Sequence, residues 1–195
     1  SRTSSGVLGW IASIARATPR PPPEAPDRTR SEGSAEGGPT MTQIQVEYVR
    51  NTTAFPWRAV VQILVEWRDG SSTRGSGAVV GPNDVLTAAH VVFAPERGGP
   101  RRIEVIPGRD GFDRPYGTFT ARRWDFFRVD EDGDGGITDA EVARDAALLT
   151  VESPRPIGDV TGYFGLRTPG LRDGQRVNLN SAGYPSAYDS DGPRM

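Results

Sequence analysis

Short β-type runs separated by glycine and proline turns dominate the chain from residue 44 onward. The run Val60–Trp67 is rich in β-branched residues and ends at the turn signal Arg68-Asp69-Gly70. A second run, at residues 78–80, is followed by the turn Gly81-Pro82-Asn83-Asp84. Further short runs lie at residues 103–106, 116–124, 148–151 and 177–179. No segment has a long helical period, so the pattern predicts an all-β fold built as an antiparallel barrel.

Residues 1–43 differ in composition from the rest of the chain. Pro19–Pro26 is proline-rich, and Ser31–Pro39 is rich in serine, glycine and glutamate. Neither segment carries enough apolar residues to bury a core, so we expect a disordered leader over residues 1–43. One folded domain is expected over residues 44–195. The apolar stretch Val7–Ala15 fits either the end of a signal peptide or a small amphipathic segment in a flexible leader.

Charge and cysteine content narrow the classes of function. The chain has 195 residues, all 23 of its basic residues are arginine, and its net charge is −2. The arginines are interspersed with acidic residues, so no basic stripe points to nucleic acid. Without cysteine there is no disulfide framework, thiolate nucleophile or thiolate metal site. No apolar stretch approaches the roughly 18 residues of a membrane span. We expect the protein to be a monomer.

The only histidine of the chain, His90, lies in Thr87-Ala88-Ala89-His90, after the glycine-flanked run Gly75-Ser76-Gly77-Ala78. Alone, a histidine beside small apolar residues is more often a hydrogen-bonded structural residue than a catalyst. Further along, Asp145 begins the run Asp145-Ala146-Ala147-Leu148-Leu149. Together these segments resemble the histidine and aspartate segments of the trypsin-like (chymotrypsin-fold) serine endopeptidases. The absence of cysteine favours the bacterial, glutamyl-endopeptidase-like branch of that family.

The resemblance implies a fold and a reaction. The fold is an antiparallel double β-barrel, of which this chain would hold the complete first barrel and only the beginning of the second. The reaction is hydrolysis of peptide bonds in protein or peptide substrates, at a site between the barrels. His90 would be the general base, and Asp145 would hold its tautomer and stabilise the imidazolium.

The nucleophilic serine of such a triad is expected beyond Met195. No Gly-x-Ser-Gly sequence follows Asp145, and the chain would therefore be inactive on its own. The segment Ala182-Gly183-Tyr184-Pro185 resembles the Gly-Tyr-Pro element upstream of the nucleophile in the bacterial branch. An acyl-transfer serine needs an adjacent backbone oxyanion hole. The late serines lack the glycine-rich turn that supplies one in this family: Ser181, Ser186 and Ser190.

A second motif falls between His90 and Asp145. Residues 130–141 match the 12-residue EF-hand calcium loop, with Gly135 at the sharp turn, the apolar Ile137 and Thr138 acting through a water. The remaining matches are the expected calcium ligands: Asp130, Asp132, Asp134, Gly136 and Glu141. The alternative is an acidic surface loop that binds no metal. A single loop with little room for a trailing helix is expected to bind Ca²⁺ weakly and to stabilise the domain.

Three functions are compatible with these features. The first is a calcium-associated serine endopeptidase that is secreted or periplasmic. The second is a catalytically inactive protease-fold binding module that keeps the histidine and aspartate but lacks the serine. The third is a calcium-binding structural protein in which the barrel is only a platform.

Overall fold

The computed structural model of the chain describes residues 13–14, 47–126, 144–167, 180–185 and 195. Two short helices lie within these ranges, α1 (Ala89–Val92) and α2 (Ile157–Thr161), with 3-10 turns at Trp57–Ala59 and Pro95–Arg97. The strands are β1 (Ser13–Ile14), β2 (Val60–Trp67), β3 (Ser72–Val79), β4 (Asp84–Thr87), β5 (Pro100–Pro107), β6 (Phe119–Phe126), β7 (Ala147–Glu152) and β8 (Asn180–Ser181).

Six strands close into an antiparallel barrel in the order β2-β3-β4-β7-β6-β5. Strand β5 returns to β2 and completes the ring, with Pro107 opposite Val61 and Ile103 opposite Val65. A closed barrel has no free strand edge, because every strand is hydrogen-bonded on both sides. The predicted all-β barrel is thereby confirmed. After β7, the described part of the chain adds α2, β8 and the segments beside them.

The barrel core follows from the alternation of side chains along the strands. In β7, Ala147, Leu149 and Val151 are buried, whereas Leu148 and Glu152 are exposed. This is the period of two that places alternate residues on opposite faces of a sheet. Strand β2 is buried over most of its length, which matches its nearly continuous apolar sequence.

Strand β4 was not predicted, because the sequence from Gly81 to Asp84 reads as a turn directly before the histidine segment. Asp84 begins β4 instead, and Val85 and Thr87 point inward. Its short length hides it from pattern recognition. The strand is stabilised by hydrogen bonding to β3 on one side and β7 on the other. The predicted bounds of four other strands were also wrong, since the structure has β3 at Ser72–Val79, β5 at Pro100–Pro107, β6 at Phe119–Phe126 and β7 at Ala147–Glu152. The predicted run at residues 177–179 lies outside the described residues.

The chain after β7 packs back onto the barrel. The guanidinium Nε–H of Arg58 donates to the carbonyl of Thr161 at 2.8 Å, and the N–H of Phe164 donates to the carbonyl of Val79 at 2.9 Å. Strand β8 pairs antiparallel with β1, with Ser13 opposite Ser181. In the ranges that the structure covers, no helix has the length and apolar character needed to cross a membrane.

A substitution at Gly77 tests how tightly the barrel is packed around β3. A Cβ atom at this position would lie 2.8 Å from Cδ1 of Ile63 and 2.9 Å from the carbonyl oxygen of Leu86. We expect Gly77→Ala to lower the free energy of unfolding by about 1–3 kcal/mol through overpacking. Gly165→Ala is the matched control, because no atom lies within 4 Å of its Cβ position. Urea unfolding of both variants measures the difference, and equal stabilities would contradict the packing described for β3.

Candidate active site

The pairing of β4 with β7 brings together two distant parts of the chain. Thr87, the last residue of β4, lies opposite Ala147, the first residue of β7. In an antiparallel pair, the residues after one strand and those before the other lie at the same end of the sheet. His90 follows Thr87 by three positions and Asp145 precedes Ala147 by two, so the barrel places both at one rim.

His90 and Asp145 are joined by two hydrogen bonds. The ring Nδ1 lies 2.7 Å from Asp145 Oδ2, and the backbone N–H of His90 donates to Asp145 Oδ1 at 2.9 Å. The Asp145 side chain is 4% exposed, whereas that of His90 is 33% exposed. The two-point contact fixes the carboxylate against both the ring and the backbone of the histidine. The imidazole is therefore held on its Nδ1 side and open to solvent.

Helix α1 sets the direction of the histidine side chain. The N–H of Val91 donates to the carbonyl of Ala88 at 3.2 Å, and that of Phe93 donates to the carbonyl of Ala89 at 2.8 Å. Ala88, Ala89 and Val91 are buried beside the barrel, so the partly exposed His90 is the residue of this turn that faces outward. The small residues that the sequence places before the histidine thus bring the chain against the barrel.

The geometry defines what the imidazole can do. An ionised carboxylate only accepts hydrogen bonds, so the Nδ1 of a neutral His90 ring carries the proton that Asp145 Oδ2 accepts. The other ring nitrogen, Nε2, then has a lone pair available to take a proton from a nearby hydroxyl. Among the described residues, no serine hydroxyl hydrogen-bonds to Nε2. The pair therefore consists of a base, His90, and the carboxylate that orients it, Asp145.

The late serines, which the sequence argues against as nucleophiles, and the expected calcium ligands fall in different places. Ser181 lies on β8 and is exposed, whereas Ser186 and Ser190 lie outside the described residues. The part of the chain with assigned positions holds no group of three or more His, Asp or Glu side chains able to bind a metal. The expected calcium ligands also lie outside the described residues: Asp130, Asp132, Asp134, Gly136 and Glu141.

Sequence reasoning missed two features of the site. One is the bond from the backbone N–H of His90 to Asp145, which no side-chain pattern reveals because every residue except proline carries that donor. The other is Ser76, whose carbonyl oxygen accepts the Thr87 hydroxyl at 2.8 Å and whose Oγ accepts the Tyr184 N–H at 2.8 Å. A serine between two glycines in a strand carries no signal for such long-range contacts.

The two-point contact predicts the tautomer of the single histidine. In Asp145→Asn the backbone N–H of His90 still requires an acceptor, so the amide oxygen faces it and the amide NH₂ faces Nδ1. The ring proton of the neutral imidazole is then expected to move from Nδ1 to Nε2. Nitrogen-15 chemical shifts of the only histidine measure this directly. An Asp145→Asn variant with the same tautomer as the unmodified protein would contradict the hydrogen-bond assignment.

Comparison with known proteins extends these observations. The Trypsin family model matches residues 44–192 of the chain. The "Extracellular metalloprotease" of Bacillus subtilis is 32% identical over 139 residues, which is 70% of this chain and 42% of that protein. The "Glutamyl endopeptidase" of Bacillus licheniformis is 33% identical over 141 residues, which is 70% of this chain and 39% of that protein. The chain thus spans about two-fifths of the length of these relatives.

Solved structures are similar over most of the chain. A Glu endopeptidase structure has a TM-score of 0.47 and 23% identity, covering 62% of this chain and 51% of that chain. The protease Anisep from Arthrobacter nicotinovorans has a TM-score of 0.49 and 18% identity, covering 66% of this chain and 64% of that chain. The family match includes the whole barrel and both members of the histidine–aspartate pair. The chain belongs to the trypsin family.

Proposed function

We propose that the protein is a serine endopeptidase in which His90 is the general base and Asp145 its orienting carboxylate. The observation that carries this proposal is the two-point contact, with Nδ1 at 2.7 Å and the backbone N–H at 2.9 Å from the two carboxylate oxygens. Family membership and the glutamyl endopeptidase relative support the same reaction class. Protein or peptide chains are the proposed substrates.

The proposed chemistry uses the histidine twice. The Nε2 atom accepts the proton of a serine hydroxyl as that oxygen attacks the scissile carbonyl, and later returns a proton to the leaving amine. Asp145 stabilises the imidazolium formed in between. We propose that the nucleophilic serine lies beyond Met195, because no Gly-x-Ser-Gly sequence follows Asp145 within these residues. The two relatives are each more than twice as long as the matched region, which is consistent with that arrangement.

We also infer that the protein acts outside the cytoplasm. Its Bacillus subtilis relative is named "Extracellular metalloprotease". An endopeptidase that is active in the cytosol would cleave proteins of the cell that makes it. The test is detection of the full-length protein, by antibody, in the culture medium or periplasm of its source. Retention of all of it in the cytosol would contradict the inference.

Replacing the carboxylate tests the proposed reaction in the full-length protein. Asp145→Asn is expected to lower kcat by about 10⁴-fold, because the imidazole would be held in the wrong tautomer. Asp159→Asn is the matched control, since Asp159 is an exposed aspartate on α2 and should leave kcat unchanged. The measurement is hydrolysis of a chromogenic peptide that carries glutamate before the scissile bond.

A second readout separates a serine enzyme from a metal-dependent one, as the name of one relative raises that alternative. We expect a serine-directed phosphonate to label the full-length protein and to abolish its activity. His90→Ala should be neither labelled nor active. Activity that survives the phosphonate but is lost on adding a chelator, and that calcium alone does not restore, would overturn the proposal.

We further propose that residues 130–141 bind Ca²⁺ and stabilise the domain. The support is the spacing of oxygen-bearing residues in the sequence, which matches the EF-hand loop. The loop ends four positions before Asp145, so its binding energy would contribute to holding the segment that carries this carboxylate. Calcium has no part in the proposed chemical steps.

Calcium titration tests this second proposal. For a dissociation constant of about 10⁻³ M, about 10 mM Ca²⁺ should add about 1.4 kcal/mol to the free energy of unfolding. Glu141→Gln is expected to abolish this gain because it removes one ligand charge. The exposed Glu96 provides the matched control, Glu96→Gln, which should keep it. Thermal unfolding with and without Ca²⁺ measures the effect, and identical midpoints for the unmodified protein would contradict calcium binding.

A further inference from the structure

Ser76 connects two parts of the chain that are far apart in sequence. It lies within β3, where its carbonyl oxygen accepts the Oγ1–H of Thr87 at 2.8 Å. Its own Oγ accepts the backbone N–H of Tyr184 at 2.8 Å. Thr87 is the last residue of the strand that leads to His90, and Tyr184 belongs to the segment that returns to the barrel after α2. One residue thus joins the base-bearing strand to that returning segment.

The returning segment lies unusually close to β3. A Cβ atom at position 183 would be 2.9 Å from Ser76 Oγ and 3.3 Å from Ser76 Cβ. Only glycine leaves room for this approach, which explains on steric grounds why Gly183 precedes Tyr184. The contact therefore joins the backbone of residues 183 and 184 to the short side chain of Ser76.

The Tyr184 side chain provides a second attachment point. It is 4% exposed, and its hydroxyl donates to the carbonyl oxygen of Arg109 at 3.2 Å. Burial raises the pKa of the Tyr184 phenol, so the hydroxyl keeps its proton and remains a donor. Arg109 is itself buried, with its guanidinium bound to the side chain of Gln62 and the carbonyl oxygen of Gly111. Tyr184 is therefore attached to the backbone of a buried residue whose guanidinium is itself hydrogen-bonded.

We propose that Ser76 and Tyr184 are positioning residues for catalysis, which fix the chain at residue 184 relative to His90. The next described contact of this chain with the barrel is at Met195, whose carbonyl oxygen accepts the N–H of Val49 at 2.8 Å. This inference rests on the proposed function, in which the downstream chain supplies the nucleophilic serine. A segment held at one point pivots, whereas one held by both its backbone and its side chain does not. The path from Tyr184 through Ser76 to Thr87 ends three positions before His90.

The expected effect is on the chemical step. A misplacement of about 1 Å between reacting groups lowers a rate by up to about 10²-fold, even when its origin is remote. Removing one of the two attachment points of Tyr184 should displace the nucleophile by less, because the chain is also held at Met195, and we expect kcat to fall by about tenfold. KM should stay within about twofold, because neither residue is placed at the substrate.

The experiment uses the full-length protein and two variants that each remove one attachment. Ser76→Ala removes the acceptor for the Tyr184 N–H, and Tyr184→Phe removes only the phenol oxygen. The matched controls are Ser72→Ala, at an exposed serine of the same strand, and Tyr116→Phe, which removes a phenol bonded to the carbonyl of Thr53 at 2.9 Å. For every protein, kcat, KM, the rate of phosphonate labelling and the thermal unfolding midpoint are measured.

Both variants are expected to lose activity and labelling rate in parallel at temperatures well below their unfolding midpoints, while both controls match the unmodified protein. Variants that keep kcat within twofold would overturn the inference, as would a loss that disappears on cooling, since that would indicate a merely structural role. If Ser76→Ala does not fold, Tyr184→Phe decides alone. An unmodified protein that is neither active nor labelled by the phosphonate, or an active His90→Ala, would instead overturn the proposed function, and this inference with it.

Discussion

The pairing of β4 with β7 is the constraint on which the site depends. His90 and Asp145 are 55 positions apart in sequence, and neither neighbouring segment would find the other without the ladder that sets Thr87 opposite Ala147. The ladder also completes the barrel, because β7 carries the hydrogen bonds that tie β4 to β6. The strand pairing that closes the barrel therefore also brings His90 and Asp145 together. Burying the Asp145 carboxylate, which is 4% exposed, costs desolvation free energy. The two hydrogen bonds it accepts offset this cost, and they require the rigid barrel to hold donors and acceptor in place.

The sequence predicted the all-β class because β-branched runs and turn residues alternate at short intervals. Strand β2 was predicted with the bounds it has, since its apolar run ends at a clear turn signal. Strand β4 was missed because four residues carry too little periodicity to be separated from the turn before them. Its existence follows from hydrogen bonding to two neighbours, which is a property of the closed barrel and not of the local sequence.

The site shows the same division between local and long-range information. His90 and Asp145 were identified by resemblance, because short motifs around them are specific. The backbone contact between them was not predictable, since it depends on how α1 turns against the barrel. The role of Ser76 was equally hidden, because its partners lie 11 and 108 positions away. Contacts of that range are set by topology, and a single sequence without its fold does not specify them.

The separation of His90 from Asp145 along the chain has a consequence for the timing of activity. A nascent or partly unfolded polypeptide lacks the closed ring, and without it the imidazole has no carboxylate to orient it. If the protein is the endopeptidase proposed here, its destructive chemistry is switched off until folding is complete.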